Sequence, residues 1–161
     1  MPHLYKGNLD EKDLSIGIVV SRWNAEITDS LRRGALGALA AYSIPEESVI
    51  IVEVPGAFEI PLACDLLAQH KGVDAIIALG CVIKGDTAHF EYVSDAAMQG
   101  IREVALKHGL PITCGILTTY TEAQALERAG DDENNKGSEA ALSAIKMASL
   151  RRQIISSGSD F

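Results

Sequence analysis

The chain has no surplus of positive charge and no hydrophobic run long enough to cross a membrane. Its 14 lysines and arginines face 22 aspartates and glutamates, which gives a formal net charge of −8. This acidic balance argues against a nucleic-acid or anionic-membrane partner, because such partners need basic residues to neutralise their phosphates. No stretch approaches the ~18 apolar residues that a transmembrane helix needs. The sequence therefore predicts no nucleic-acid partner and no membrane partner.

Cysteines are few and show no paired spacing. The three, Cys64, Cys81 and Cys114, lie far apart without a CxxC motif. This pattern is typical of reduced, buried thiols and not of a disulfide framework or a zinc site. The first residues lack a charged segment followed by an apolar stretch, so we expect no secretory signal. Together these features predict a cytoplasmic protein without a metal site.

Apolar residues make up 47% of the 161 residues, and they follow two alternating periods. Extended apolar runs lie at 15–21, 49–54, 73–83 and 111–117, and helical periodicity covers 25–42, 57–70, 87–108, 122–128 and 136–152. Strands that alternate with helices predict an α/β fold. We expect one doubly wound layer, a flavodoxin-like parallel four-stranded sheet with helices on both faces. The length fits a single domain spanning residues 1–161.

Both ends of the chain lie outside this alternation. Residues 1–12 form an N-terminal arm. Within it, residues 5–9 are interpreted either as a short strand added to the sheet of a neighbouring subunit or as a loose arm. Residues 153–161 are polar and are expected to form a frayed tail.

The ends of the predicted strands indicate where a ligand binds. In open parallel sheets, ligands bind beyond the carboxyl ends of the strands. Those ends are the segments 21–24, 55–59, 80–89 and 117–119. Although they are distant in sequence, the topology places them on one rim, which we predict to be the site.

Three residues on this rim each have two interpretations. Trp23, the only tryptophan, either offers a flat face on which a planar heterocycle stacks or folds back onto the core. Asn24 either binds the ligand or caps the following helix. Glu59 is favoured in the first turn of a helix without any ligand. It also follows Pro-Gly-Ala-Phe, whose amides would suit a polyhydroxylated, amide-bearing ligand.

The segment 80–89 reads Gly-Cys-Val-Ile-Lys-Gly-Asp-Thr-Ala-His and predicts a strand, a loop and a helix that opens at Thr87. Such a junction gathers backbone N–H groups and the positive helix end around an anion. Asp86 stands where a nucleotide-binding loop needs lysine, so one monophosphate is favoured over a triphosphate. Asp86 is alternatively an N-cap. The helix end disfavours a protonated His89, and a neutral imidazole beside an anion site is a candidate general base.

The predicted anion loop lacks a strong cation of its own, because the alternation after Ile83 turns Lys84 away. Arg128, at the C-terminal turn of a helix, is by default a solvated cap. An anion site without its cation and an arginine without a partner together favour a subunit boundary between them.

Several motifs in this order make the chain resemble the 6,7-dimethyl-8-ribityllumazine synthase family. The resemblance covers residues 5–150 and is carried by 21–24, 54–61, 80–93, 115–119, 122–125, 128–130 and 135–137. It implies a condensation in riboflavin biosynthesis that uses no cofactor and no metal. The substrates would be 5-amino-6-(D-ribitylamino)uracil and 3,4-dihydroxy-2-butanone 4-phosphate. The products would be 6,7-dimethyl-8-ribityllumazine, phosphate and water.

The resemblance also implies a role for each matching residue. Trp23, where the family mostly has phenylalanine, would stack on the uracil ring, and His89 would transfer the proton. The remaining residues of the pyrimidine and ribityl pocket would be Asn24, Ala57, Phe58, Glu59, Val82, Ile83 and Cys114. The phosphate-binding residues would be Gly85, Asp86, Thr87 and Lys136, with Arg128 reaching in from the neighbouring subunit.

The chain departs from the family pattern in places. Cys114 stands where the family often has an aromatic or hydrogen-bonding residue, which puts its pocket role in doubt, and Lys84 replaces the commoner arginine. Active sites in this family lie between adjacent subunits, so the resemblance implies a homopentamer. A sixty-subunit icosahedral shell is the alternative. The connection 129–135 has the length found in shell-forming relatives but lacks their second glycine.

Two other functions fit the same motifs. An archaeal-type riboflavin synthase shares the fold but dismutates two lumazines. A non-catalytic flavin- or lumazine-binding protein would use the same pocket without consuming the butanone phosphate.

Overall fold

Runs of isoleucine and valine form a four-stranded sheet at the centre of the molecule. The computed structural model describes residues 1–157. Its strands are β1 (Ile16–Ser21), β2 (Val49–Val54), β3 (Ala75–Ile83) and β4 (Ile112–Thr119). They lie in the order β2-β1-β3-β4, and every neighbouring pair is parallel. The predicted parallel four-stranded sheet is confirmed.

Helices cover both faces of this sheet. They are α1 (Ala25–Ala41), α2 (Ile60–His70), α3 (His89–His108), α4 (Glu122–Glu127) and α5 (Lys136–Ser156), with short 3-10 turns at Glu46–Ser48 and Ala57–Glu59. Successive side chains of a strand point to opposite faces of the sheet, so each strand contributes side chains to two hydrophobic cores. In β1, Ile18 and Val20 pack with α1 and α5, whereas Val19 packs with α2 and α3. The predicted doubly wound arrangement is therefore confirmed.

Close packing between α1 and α5 fixes where α5 begins. A Cβ at Gly137 would stand 2.0 Å from the Leu31 carbonyl oxygen, so only glycine allows this approach. Asn135 is 2% exposed and caps α5 by accepting a hydrogen bond from the Ser138 N–H at 3.0 Å. Its amide also donates to the Ser30 carbonyl at 3.2 Å. These contacts set the position of Lys136, the first residue of α5.

The start of α3 differs from the sequence prediction. The helix begins at His89, two residues after Thr87, and its N-cap position is Ala88. The interpretation of Asp86 as the N-cap is therefore wrong. The Thr87 hydroxyl accepts a hydrogen bond from the His89 N–H at 3.3 Å, which keeps the residues before the helix in a loop.

The N-terminal arm lies along α5 of its own chain. Residues 1–15 form no strand here. The Gln153 side chain accepts from the Lys6 N–H at 3.2 Å and donates to the Lys6 carbonyl at 2.8 Å. Asn8 donates its N–H to the Ser149 hydroxyl at 3.2 Å. The loose-arm interpretation is wrong, whereas pairing of residues 5–9 with a neighbouring subunit stays a prediction.

The same contacts explain why α5 continues to Ser156, beyond the predicted end near Arg152. Arg152 donates to the Asp13 carbonyl at 3.2 Å, and the Ser157 hydroxyl bonds to that of Tyr5 at 2.8 Å. The last residues of the predicted frayed tail, 158–161, lie outside the described part of the chain.

The cysteines divide into two classes. Cys64 and Cys81 are buried, as predicted, and burial raises the pKa of Cys64 to about 12. Cys114 is exposed, because it lies on β4, an edge strand of the sheet. The prediction of a buried thiol is wrong at this position. Within residues 1–157, no helix combines the length and apolar character of a membrane span.

Candidate active site

A cavity of about 700 Å³ opens at the carboxyl ends of β1, β2 and β3. It is lined by Trp23, Asn24, Gly56, Ala57, Phe58, Glu59, Cys81, Val82, Ile83, His89, Tyr92 and Val93. The chain turns to opposite faces of the sheet after β1 and after β3, and this switch point is where doubly wound folds bind ligands. The structure thus brings His89 and the predicted pocket residues together, with the exception of Cys114.

Trp23 projects from the rim instead of folding onto the core. Trp23 is 72% exposed to solvent. The indole lies beside Gly56, with Cδ1 3.5 Å from the place where a Cβ would stand. Phe58 and Tyr92 are 62% and 74% exposed on the same cavity. Exposed aromatic rings gathered around one concave surface indicate a ligand site.

Asn24 connects two strand ends across the site. It occupies the N-cap position of α1 with φ 61°, yet its side chain makes no capping hydrogen bond. Instead, the amide Nδ2 donates to the Cys81 carbonyl at the end of β3, at 3.0 Å. The side-chain capping interpretation is therefore wrong, because the left-handed backbone at Asn24 directs the amide toward β3.

Glu59 shapes the loop that follows β2. Its Oε1 accepts a hydrogen bond at 2.9 Å from the N–H of Gly56, the N-cap residue of the 3-10 turn. One of the loop amides expected to face a ligand is therefore already bonded to a carboxylate. The carboxylate still lines the cavity, so its structural and ligand-binding interpretations both remain compatible with this geometry.

The predicted anion loop, residues 85–87, connects Ile83 to His89, which both line the cavity. The loop residues are exposed, and none of the three is among the residues that line the cavity. Lys84 lies with its Nζ 5.6 Å from the centroid of the Tyr120 ring. As predicted, this cation turns away from the cavity. In the described part of the chain, neither a lysine nor an arginine lines the cavity.

The titratable groups of the cavity differ in what they can do. Burial, aided by the negative charge of Glu122, raises the pKa of Cys81 to about 11, so this thiol stays protonated and is a poor nucleophile. His89, the first residue of α3, is exposed to the cavity. His108 instead bonds to Asp65 at 2.6 Å at the other end of α3, in a structural role. Among the lining residues described, His89 is the best placed proton-transfer group.

Arg128 and Lys136 lie together but apart from this cavity. They share a groove of about 630 Å³ with Glu127, Asp132, Glu133, Asn134 and Glu139. The Lys136 N–H donates to the Arg128 carbonyl at 2.8 Å, which keeps the two residues adjacent. The Arg128 guanidinium donates to the Gln124 carbonyl at 2.9 Å. The structure therefore unites the two predicted phosphate-binding cations but does not bring them to the anion loop of their own chain.

Cys114 does not reach the cavity of its own chain. It is the third residue of β4 and pairs with Ala78 in the middle of β3, away from the carboxyl ends of the strands. Its Sγ lies 3.3 Å from Met98 Sδ. The predicted contact between Cys114 and the pocket is wrong within one chain. A residue near the start of a strand lies far from the carboxyl ends of the strands, where the cavity opens.

Four lining residues were not predicted from the sequence motifs: Gly56, Cys81, Tyr92 and Val93. Tyr92 could have been found, because it follows His89 by three residues and therefore shares its helix face. A second groove, of about 540 Å³ near the start of β4, is lined mainly by apolar residues and offers one charged side chain, Arg151. Within residues 1–157, no cluster of three or more His, Cys, Asp or Glu could hold a metal ion.

Comparison with known proteins supplies independent information about this site. A family profile described as 6,7-dimethyl-8-ribityllumazine synthase matches residues 13–152. The chain is also 46% identical over 141 residues to a Porphyromonas gingivalis protein named 6,7-dimethyl-8-ribityllumazine synthase, a match that covers 88% of each chain. The profile spans the four strands and every candidate residue from Trp23 to Lys136. The chain belongs to the 6,7-dimethyl-8-ribityllumazine synthase family.

Proposed function

We propose that this chain is a transferase of riboflavin biosynthesis. It condenses 5-amino-6-(D-ribitylamino)uracil with 3,4-dihydroxy-2-butanone 4-phosphate to give 6,7-dimethyl-8-ribityllumazine, phosphate and water. Family membership supports the reaction. The observation that carries the proposal for the site is the cavity itself, where exposed aromatic rings meet His89, and where the lining residues Ile83 and His89 are the two ends of the predicted anion loop.

The pyrimidine binds against the indole of Trp23, next to Phe58. Stacking suits a planar heterocycle because the indole presents a flat apolar face to solvent. The ribityl chain extends along Asn24 and Glu59, with the backbone of Val82 and Ile83 bordering the ring. Such a pocket orients the reacting amine toward the second substrate. Holding two substrates together supplies much of the rate in a condensation of this kind.

The chemistry then proceeds by ordinary carbonyl steps. The amine attacks the ketone and water leaves to form an imine. Loss of a proton and of phosphate gives an unsaturated intermediate, and addition of the second nitrogen with loss of water closes the ring. His89, beside the anion loop, moves the protons. An acid–base group of this type contributes about 10²–10⁴-fold in rate.

The phosphate lies at Gly85, Asp86 and Thr87, with the cation supplied by another subunit. The loop offers backbone N–H groups and the Thr87 hydroxyl but no positive side chain, since Lys84 lies over Tyr120. Arg128 of a neighbouring copy fills this gap, assisted by Lys136. Lys136 stands at the first residue of α5, where its Nζ forms an ion pair with Glu139 at 3.1 Å.

The assembly that brings these surfaces together is a homopentamer, with the sixty-subunit shell as the alternative. Among residues 1–157, the two edge strands β2 and β4 have no strand paired to their outer edges. Exposed apolar side chains, including Leu106 at 76% and Ile155 at 60%, surround the groove near β4. Cys114, exposed on that edge, would meet a pyrimidine pocket only in a neighbouring subunit. A cytoplasmic location completes the proposal, because charged phosphorylated substrates do not cross membranes unaided.

An assay with both substrates tests the reaction. The lumazine chromophore should appear in step with release of inorganic phosphate. Riboflavin formed from 6,7-dimethyl-8-ribityllumazine alone would instead identify a riboflavin synthase. Tight binding of the pyrimidine without consumption of the butanone phosphate would identify a non-catalytic binding protein. Light scattering coupled to size-exclusion chromatography distinguishes the pentamer from the shell.

Mixing two impaired variants tests the shared site. In assemblies refolded from equal amounts of His89→Ala and Arg128→Ala chains, a site formed between two subunits has both residues intact in about a quarter of cases. Activity should therefore rise toward about a quarter of the wild-type value, while each variant alone stays low. Mixed assemblies that regain no activity would place both residues in the site of a single chain.

A further inference from the structure

The loop that carries Trp23 is anchored on both of its sides. After β1, the Arg22 N–H donates to the Val54 carbonyl at 2.8 Å, and the Trp23 N–H donates to that of Pro55 at 3.1 Å. After Trp23, the Asn24 side-chain amide donates a hydrogen bond to the Cys81 carbonyl near the end of β3. The backbone under the indole is thus attached to β2 and to β3. The side chains flanking Trp23 determine how firmly it is held.

A charge in β2 supplies the remaining anchor. Glu53 interrupts the apolar sequence Val-Ile-Ile-Val-Glu-Val, and its Oε2 forms an ion pair with Arg22. Its Oε1 lies 3.5 Å from Nη1 of Arg32 in α1. The hydrogen bond and charge of Arg22 hold the pKa of the Glu53 carboxyl below its usual range. One ionised carboxylate therefore sits between two guanidinium groups on the α1 side of the sheet.

We propose that Glu53 is a positioning residue for the Trp23 indole. Trp23 is the first residue of the turn that directly follows Arg22. Holding the Arg22 side chain on the α1 side therefore restricts the backbone from which the indole projects toward the cavity. The inference rests on the proposed function, in which Trp23 stacks on the pyrimidine. An exposed indole that is already oriented loses less rotamer freedom on binding, so the pair acts through ligand affinity.

The variant Glu53→Gln tests the role, because it removes the charge and keeps the shape. Since exposed ion pairs contribute little, KM for the pyrimidine should rise about two- to fivefold with kcat unchanged. The emission anisotropy of Trp23, the only tryptophan, should fall in the free protein. Raising the salt concentration to about 1 M should make the wild type resemble the variant, because salt screens exposed charges.

Asp29→Asn is the matched control. It removes a carboxylate 3.6 Å from the same Arg32 but leaves the pair between Arg22 and Glu53 in place. Its kinetics and Trp23 anisotropy should match the wild type. If Glu53→Gln folds poorly, Arg22→Gln breaks the same pair from the other partner and should give the same shifts.

The outcomes separate this inference from the proposed function. Unchanged Trp23 anisotropy and unchanged pyrimidine KM in both Glu53→Gln and Arg22→Gln would overturn the positioning role. The stacking role is tested by Trp23→Ala. If that variant binds the pyrimidine normally while Glu53→Gln still lowers the anisotropy of Trp23, Glu53 does orient the indole and the stacking proposal fails.

Discussion

Two surfaces of this molecule carry the residues proposed to bind the two substrates, and they differ in what they contain. The cavity at the strand ends has aromatic walls and a histidine, and the predicted anion loop joins two of its lining residues, but no lysine or arginine lines it in the described chain. The groove beside α5 has Arg128 and Lys136 among acidic side chains, and its lining within residues 1–157 includes no aromatic ring. Each surface has what the other lacks. In the proposed function, these two surfaces are complementary halves of one site, each completed by a neighbouring copy of the chain.

Removing the histidine should have the largest effect. His89→Ala is expected to lower kcat about a hundredfold, with little change in either KM, because it removes proton transfer and leaves both binding surfaces intact. Measurable activity should remain, since substrate positioning persists. Single-turnover formation of the lumazine chromophore measures this step. His108→Gln, at the other end of α3, is the control, and kinetics of His89→Ala equal to wild type would refute the base assignment.

Removing the arginine should act on the other half of the site. Arg128→Ala is expected to lower kcat/KM for the butanone phosphate about ten- to a hundredfold, because a charge-assisted contact is lost. KM for the pyrimidine should stay the same. Initial rates at subsaturating phosphate substrate give the answer.

A variant of Lys84 tests whether the cation for the phosphate comes from the same chain. Lys84 is adjacent to the anion loop in sequence but is turned toward Tyr120. Lys84→Gln should cost less than Arg128→Ala. A larger loss in Lys84→Gln would mean that the cation for the phosphate comes from the same chain.

The aromatic wall should show a smaller effect, confined to one substrate. Trp23→Ala is expected to raise KM for the pyrimidine about tenfold, which is the range found for stacking of a base on an aromatic side chain. Trp23→Phe should restore most of the affinity, because a flat ring remains. Titration of the pyrimidine alone measures the change, and an equal loss of affinity for the butanone phosphate would show that the indole has a general structural role.

The smallest effect is expected away from both surfaces. The hydrogen bond from His108 holds the pKa of Asp65 below its usual value, so ionised Asp65 stabilises the fold. This contribution is complete above the unfolded-state pKa and is lost as pH falls through the lower folded-state pKa. Asp65→Asn should therefore lower Tm at neutral pH but not in acid, without changing kcat. Thermal unfolding at several pH values checks it, and a constant difference in Tm across that range would contradict the linkage.

Much of the cavity could be predicted because the topology follows from short-range patterns. The alternation of strands and helices places the ends of β1, β2 and β3 on one rim, and Trp23, Glu59 and His89 follow these ends directly. Asn24 shows where this reasoning stops. An amide at that position can cap α1 or bridge to β3, and the choice depends on a backbone angle and on the distance to Cys81.

By itself, the sequence determined the doubly wound fold, the rim and the chemistry of the residues on it, because period and strand order depend on neighbours along the chain. Only the tertiary structure decided that Cys114 lies on an exposed edge, that the N-terminal arm packs on α5, and that Arg128 and Lys136 stand apart from the anion loop. The physical reason is that these facts are distances between segments remote in sequence. Such distances are set by how helices pack on the sheet, and no local pattern records them.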